Sequence, residues 1–102
     1  MEAGSLSKVL AVQKYMVVKR ELDFMDFKQK IIKEERNMYL YHDKITTKYH
    51  EFPLKTVFDI SYKPLGKDGG ILYLHTNKGV FSYHVDSNAL TFIKIFKQYQ
   101  IK

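Results

Sequence analysis

Apolar and polar residues alternate along much of this chain, and a period of two is typical of β-strands with one buried face. The clearest run, residues 54–62, predicts a half-buried antiparallel strand. Its apolar face is expected to hold Leu54, Thr56, Phe58, Ile60 and Tyr62. Residues 45–49 alternate in the same way. Pro53 is expected at a strand edge or in a turn, because proline has no N–H group for a central ladder.

Two further strands, residues 71–76 and 80–85, are joined by a short connection that ends in Gly79. We interpret this connection as a three-residue loop, a type I turn followed by a glycine at positive φ. Such a loop places Thr76 opposite Val80. The core-facing side of the hairpin is then expected to hold Ile71, Tyr73, His75, Phe81, Tyr83 and Val85.

The spacing of apolar residues becomes helical after residue 86. Residues 86–88 (Asp-Ser-Asn) are three candidate N-cap residues, and residues 87–100 predict an amphipathic helix. Its apolar stripe consists of Ala89, Phe92, Ile93, Phe96 and Tyr99. We expect the helix to cover an open end of the sheet, with Phe92 and Phe96 buried.

The N-terminal part of the chain is less clearly patterned. Residues 1–7 are expected to be a flexible leader and residues 8–102 a single domain, since about a hundred residues leave no room for a second core. The chain is 45% hydrophobic and 27% charged, which is typical of a globular protein. Residues 8–22 fit either a strand or a helix. Their β-branched valines favour a strand, and residues 24–34 and 38–41 also have β composition.

Two segments resemble the pleckstrin-homology-like (PH-like) superfamily, in particular its bacterial and GRAM-like domains. They are residues 38–45, Met-Tyr-Leu-Tyr-His-Asp-Lys-Ile, and residues 52–60, Phe-Pro-Leu-Lys-Thr-Val-Phe-Asp-Ile. The resemblance extends over residues 32–102. It implies a strongly bent, antiparallel seven-stranded sheet or barrel capped by one C-terminal helix. It also implies a binding module, although such a fold does not by itself define a function.

Lysine supplies most of the positive charge. The formal net charge is +6, and fifteen of the seventeen basic residues are Lys. Because they are dispersed, we expect a solvated surface. The resemblance implies a candidate ligand site on the first hairpin, where phosphoinositide-binding PH domains carry a Lys followed by Lys/Arg-x-Arg. The corresponding residues are Lys19, Arg20, Lys28 and Lys30. Lys30 replaces an Arg of that pattern, and the nearby Glu21, Asp23 and Asp26 repel phosphate.

The pattern contains no recognisable catalytic or metal-binding set. There is no Cys, which excludes disulfides and thiolate chemistry. The four His residues lack ligand spacing, and the predicted hairpin register puts His75 and His84 on opposite faces. Ser61 has no recognisable activating partner, and the glycine-rich segment 64–70 is interpreted as a loop that does not bind phosphate. We therefore expect no enzymatic activity, no cofactor and no metal.

These observations favour a cytoplasmic, PH-like binding module without catalytic activity. We expect its partner to be another protein, or a second copy in a homo-oligomer. The alternative is a peripheral module that docks on anionic membrane lipids through its lysines. Nucleic-acid binding comes third, because Arg, which contacts phosphate and guanine bidentately, is scarce. No apolar run approaches the ~18 residues that a membrane-spanning helix needs.

Overall fold

The computed structural model describes residues 8–23, 28–67 and 69–100. These residues form seven strands in one antiparallel sheet, followed by a single helix. The strands are β1 (Ala11–Asp23), β2 (Lys28–Leu40), β3 (Lys44–Thr46), β4 (Glu51–Pro53), β5 (Val57–Pro64), β6 (Gly70–Thr76) and β7 (Gly79–Val85). The helix is α1 (Leu90–Tyr99). The predicted bent sheet with one C-terminal helix is confirmed; the expected leader, 1–7, lies outside the described residues.

The strand order in the sheet is β4-β3-β2-β1-β7-β6-β5. Strands that follow one another in sequence are paired, except β4 and β5, which form the two edges. β1, the first strand, also lies beside β7, the last strand. These two strands pair at one register position, Met16 with His84. The sheet thus consists of two blocks, β1–β4 and β5–β7, which are joined at that position and do not close into a barrel.

The ambiguous first segment is a strand. β1 pairs with β2 continuously, from Ala11 opposite Leu40 to Asp23 opposite Lys28. This ladder satisfies backbone N–H and C=O groups of both strands along their shared side, which a helix in place of β1 could not do. The helical alternative is therefore excluded. The two β-like segments that follow belong to one long strand, β2, and residues 24–27 lie outside the described residues.

The far end of the β1–β2 hairpin extends beyond the rest of the sheet. Past Met16, β1 has no described pairing partner other than β2. The radius of gyration is 16.0 Å and the longest extent 53 Å, whereas a compact chain of this length has a radius of about 13 Å. The extension leaves Val18, Leu22 and Ile31 largely exposed to solvent.

The core lies between the bent sheet and α1. Its buried apolar side chains are Tyr15, Met38, Leu40, Ile45, Phe52, Leu54, Val57, Ile60, Leu72, Leu74, Val85, Ala89, Phe92, Ile93 and Phe96. The prediction that Phe92 and Phe96 are buried is confirmed. The helix is shorter than predicted, and its N-cap is Ala89, which is not one of the three candidates at residues 86–88. The side-chain oxygen of Asn88 accepts a hydrogen bond from the Leu90 N–H at 2.8 Å, just before the first turn. Tyr99, at its end, is exposed.

The predicted strand at residues 54–62 is wrong in its first part. Leu54–Thr56 is a short 3₁₀ turn, in which the Thr56 hydroxyl donates a hydrogen bond to the Pro53 carbonyl oxygen at 2.7 Å. The β5–β6 pairing is then irregular between Val57 and Asp59, and this changes the phase of the strand. Val57 is consequently buried and Phe58 exposed. Pro53 ends the edge strand β4, as expected, whereas the predicted strand at 45–49 is shortened to β3.

The β6–β7 hairpin has a tighter turn than predicted. Thr76 pairs with Gly79 and not with Val80, so the turn contains two residues. Gly79 has φ 118, positive as predicted. The Thr76 hydroxyl stabilises this turn, since it donates to the Gly79 carbonyl oxygen at 2.8 Å and accepts from the Lys78 N–H at 3.1 Å. A one-residue change of register exchanges the faces of one strand. The core face of the hairpin therefore holds Leu72, Leu74, Phe81, Tyr83 and Val85.

Candidate binding cleft between β1 and β7

The narrow joint between β1 and β7 opens into a cleft. Beyond the Met16–His84 pair the two strands diverge, and a cavity of about 380 Å³ lies between them. Its walls come from β1, β2, β7 and the β3–β4 connection, residues 47–50. The volume falls within the range of about 300–1,000 Å³ that is common for ligand sites in proteins.

Both strands that border the cleft present an open edge to it. Among the described residues, β1 past Met16 pairs with β2 alone and β7 before His84 pairs with β6 alone. A strand with one neighbour leaves about half of its N–H and C=O groups available on the other side. The cleft therefore has backbone donors and acceptors along two walls.

Aromatic rings form the floor of the cleft. The rings of Tyr15 and Tyr83 meet edge to face, with centroids 5.0 Å apart. Phe81 contacts Phe52 in the same way at 5.0 Å, and His50 stacks on Phe52 at 5.6 Å. Such contacts bury apolar area and restrict the rings to one arrangement. The floor is thus preformed and mostly apolar.

Arg36 is one of the residues that line the cleft. It is opposite Tyr15 in the β1–β2 register and therefore on the core-facing side of β2, and its side chain is only 10% exposed. Its guanidinium carbon is 5.0 Å from the centre of the Tyr49 ring. Its Nε donates a hydrogen bond to Glu34 Oε1 at 2.8 Å. No acceptor among the described residues hydrogen-bonds to the two terminal nitrogens of the guanidinium.

Beside Arg36, and outside the residues that line the cleft, lies Glu34, which among the described residues is the one carboxylate that Arg36, Lys48 and Lys19 contact. Its carboxylate contacts Arg36, Lys48 Nζ at 3.3 Å and Lys19 Nζ at 3.6 Å. The hydrogen bond from Arg36, followed by that from Lys48, lowers the pKa of Glu34 from 4.5 to about 2. Glu34 is therefore ionised at neutral pH, and three cations against one carboxylate leave a net charge of +2.

The cleft is also lined by a neutral hydroxyl, that of Tyr83. Burial raises the pKa of Tyr83 to about 12. The phenol is therefore protonated at neutral pH and can donate or accept a hydrogen bond.

The four predicted ligand residues do not converge on one face. Successive side chains of a strand point to opposite sides, so Arg20 lies on the face opposite to that of Lys19. Lys28 and Lys30 share the face of Lys19 but lie nearer the tip of the hairpin, opposite the acidic Asp23 and Glu21 in the register. Of the four, Lys19 contacts the charged group at the cleft, through Glu34.

Arg36, Glu34 and Lys48 were not predicted as site residues from the sequence. One signal was available for Arg36. It lies two positions before Met38 and four before Leu40, so the alternation that places those two residues in the core also places Arg36 on the core-facing side. A charged residue at an inward-facing position is rare and points to a specific partner or ligand.

The histidines and Ser61 are arranged differently from the prediction. The two-residue turn puts His75 and His84 on the same face, with His75 opposite Val80 and His84 opposite Ile71. Ser61, expected to lack a partner, lies with its hydroxyl oxygen 2.8 Å from His75 Nε2. This pair lies on the outer face of the β5–β6 ladder, away from the cleft. The described residues contain no group of three or more His, Asp or Glu that could hold a metal ion.

Within the part of the chain that the structure describes, no helix is long and apolar enough to cross a membrane.

The sequence matches no protein-family model, and no curated protein matches it.

Proposed function

We propose that the protein is a non-catalytic, PH-like binding module that takes an extended segment of a partner protein into the cleft between β1 and β7. The observation that carries this proposal is the single register position that the two strands share. A segment placed in the cleft forms main-chain hydrogen bonds with the open edges, as in other cases of β-strand addition. It thereby joins the two blocks of the sheet.

The floor of the cleft supports a protein segment as the occupant. In an extended segment every second side chain points to the same side, so one set contacts the rings of Tyr15, Phe81 and Tyr83 and the other set faces solvent. Aromatic residues and Arg are enriched where proteins bind one another. The cleft offers both, together with backbone groups that recognise any extended chain.

The architecture supports the PH-like part of the proposal. A bent antiparallel sheet of seven strands followed by one helix is the arrangement that the resemblance implies, and the described residues have it. The buried helix residues Phe92 and Phe96 pack into the core, as expected of a capping helix.

Selection of peptides from a random displayed library, with the whole chain as bait, provides a probe for this proposal. We expect the selected peptides to slow amide hydrogen exchange at residues 17–20 of β1 and 80–83 of β7, because these are the open edges. Exchange that slows on other strands alone, or a library from which no peptide is retained, contradicts the proposal. Sedimentation of the chain alone shows whether a second copy is the partner.

Two valines of β1 provide a matched pair of variants. Val17 lines the cleft, whereas Val12 lies outside it on the opposite face of the strand. Val17→Lys should weaken binding of the selected peptides by about tenfold or more, and Val12→Lys should leave it within about twofold. If Val17→Lys fails to fold in denaturant melts, Ser82→Lys, at an exposed position of the cleft, replaces it.

Anionic lipid is the alternative partner of the lysines. Because Lys28 and Lys30 lie opposite acidic residues in the register and do not share a face with Arg20, we expect weak binding to phosphatidylserine vesicles that salt abolishes. Cosedimentation at low salt and at about 150 mM salt measures this. Tight binding at the higher salt that is lost in the Lys28→Glu, Lys30→Glu double variant favours membrane docking over the protein partner.

A further inference from the structure

Arg36 is a partly buried cation whose hydrogen-bonding capacity is only partly used. Its side chain is 10% exposed, yet among the described residues only the Nε–H finds an acceptor, Glu34 Oε1. A guanidinium has five N–H donors in one plane, so the edge formed by the two terminal nitrogens is left open. An acceptor on a segment in the cleft, which Arg36 lines, can form hydrogen bonds with this edge.

The charge around Arg36 favours an anion at that edge. Three cations contact one carboxylate, which leaves a net charge of +2, and a single added carboxylate reduces this to +1. The open edge of the guanidinium matches the two oxygens of a carboxylate and allows two parallel hydrogen bonds. Phosphate oxygens can also pair with a guanidinium, so inorganic phosphate is one arm of the test below.

The surroundings hold the guanidinium in place. The Tyr49 ring covers one face of it at 5.0 Å, and Lys48 lies 5.5 Å from the centre of the same ring. Such contacts restrict the orientation of the side chain and reduce its contact with water. Arg36 is also opposite Tyr15, whose ring belongs to the floor of the cleft. A side chain of a segment that lies on this floor can therefore reach the guanidinium.

We infer that the segment bound between β1 and β7 carries an Asp or Glu side chain whose carboxylate is held by the terminal nitrogens of Arg36. This inference rests on the proposed function, since it concerns a segment in the same cleft. It adds the chemical class of the partner, an acidic peptide, to a site whose other contacts are with backbone and apolar groups.

Pools of capped heptapeptides, acetylated and amidated, test the inference. One pool has Glu at its central position and random residues elsewhere, and a second pool has Gln there. We expect the immobilised protein to retain the Glu pool about tenfold more than the Gln pool, which is the gain of one good charge-assisted contact. In the NMR spectrum, the Nε–H signal of Arg36 should shift with the Glu pool alone.

The two arginines of the chain provide the control. Arg36→Gln should abolish the preference for Glu while the Gln pool still binds, and Arg20→Gln, on the opposite face of the hairpin, should keep the preference. If Arg36→Gln fails to fold, Arg36→Lys retains the charge without the planar pair of donors and should reduce the preference severalfold.

The outcomes separate the two proposals. Retention of both pools to the same extent supports the cleft as a peptide site and overturns the acidic anchor. Retention of neither pool overturns both. A Gln pool with a free C-terminus that binds as tightly as the capped Glu pool shows that a terminal carboxylate is the anchor. A shift of the Arg36 signal with inorganic phosphate, but not with the Glu pool, overturns the carboxylate in favour of phosphate.

Discussion

Replacement of Phe96 by Ala tests whether α1 is part of the core. Phe96 is completely buried, with 0% of its surface exposed. A buried phenylalanine removes about 150–250 Å² from water, which at about 25 cal/mol per Å² corresponds to roughly 4–6 kcal/mol. Part of that area is also hidden in the unfolded chain. Measured losses for Phe→Ala in protein cores are about 3–5 kcal/mol, and we expect a decrease of this size in the free energy of unfolding.

Denaturant melts measure this decrease. The chain has eight Tyr and no Trp, so tyrosine fluorescence and far-UV circular dichroism are suitable signals. Because small domains have a free energy of unfolding of about 5–15 kcal/mol, the Ala variant is close to the limit of folding. Phe96→Leu removes fewer atoms and should cost about 1–2 kcal/mol, which keeps the measurement within range.

Leu90 on the same helix provides the control for this measurement. It is 57% exposed, and Ala favours helix formation at least as well as Leu, so Leu90→Ala should change the free energy of unfolding by no more than about 0.5 kcal/mol. A loss below about 1 kcal/mol for Phe96→Ala, or equal losses for the two variants, would refute the packing of α1 against the sheet.

Gly79→Val should lower the free energy of unfolding by about 1–3 kcal/mol, and by more than Lys78→Val in the same turn. Gly79 has φ 118, and a Cβ added there meets no atom within 4 Å, so the main cost is backbone strain. Equal losses in denaturant melts would contradict the turn. Gly69→Ala should cost more than Gly79→Val, since φ is 88 and the added Cβ also meets the main chain at the end of β7. In an NMR titration the Glu34 carboxyl should have its midpoint near pH 2, because the Arg36 hydrogen bond lowers its pKa from 4.5 to about 2. A pKa that is lower in the folded state stabilises the fold above about pH 4.5, and this contribution is lost as the pH falls towards 2. Arg36→Gln should move the midpoint upward, and an unchanged midpoint would contradict the contact.

Local patterns predicted the elements of this protein well. The apolar stripe that contains Phe92 and Phe96 indicated a buried helix, and Gly79 indicated a turn that needs positive φ. The helix and the hairpin turn both depend on residues a few positions apart in the chain, and a sequence shows such residues directly. The boundaries were less accurate where a side chain competes with the backbone, as Asn88 does at the start of α1.

Register was the weaker part of the prediction, and one residue was enough to change it. Whether the β6–β7 turn contains two or three residues depends on hydrogen bonds of the Thr76 hydroxyl, which alternation does not reveal. The length of this turn determines whether Leu72 and Leu74 face the core, as observed, or Ile71 and Tyr73 do, as predicted. The same holds for Phe58, which an irregular pairing turns outward.

By itself, the sequence determined that the chain forms antiparallel strands followed by one amphipathic helix, because periods of two and 3.6 show which side chains are turned away from water. Only the tertiary structure decided that β1 meets β7 at a single position and leaves a cleft. It also decided that Arg36 lies at that cleft, with Glu34 from the same strand and Lys48 from a distant connection. Contacts between residues far apart in sequence depend on the bend of the sheet and on strand register. The spacing of apolar residues in a sequence shows which face of a strand a residue occupies, but it does not show which residue lies opposite.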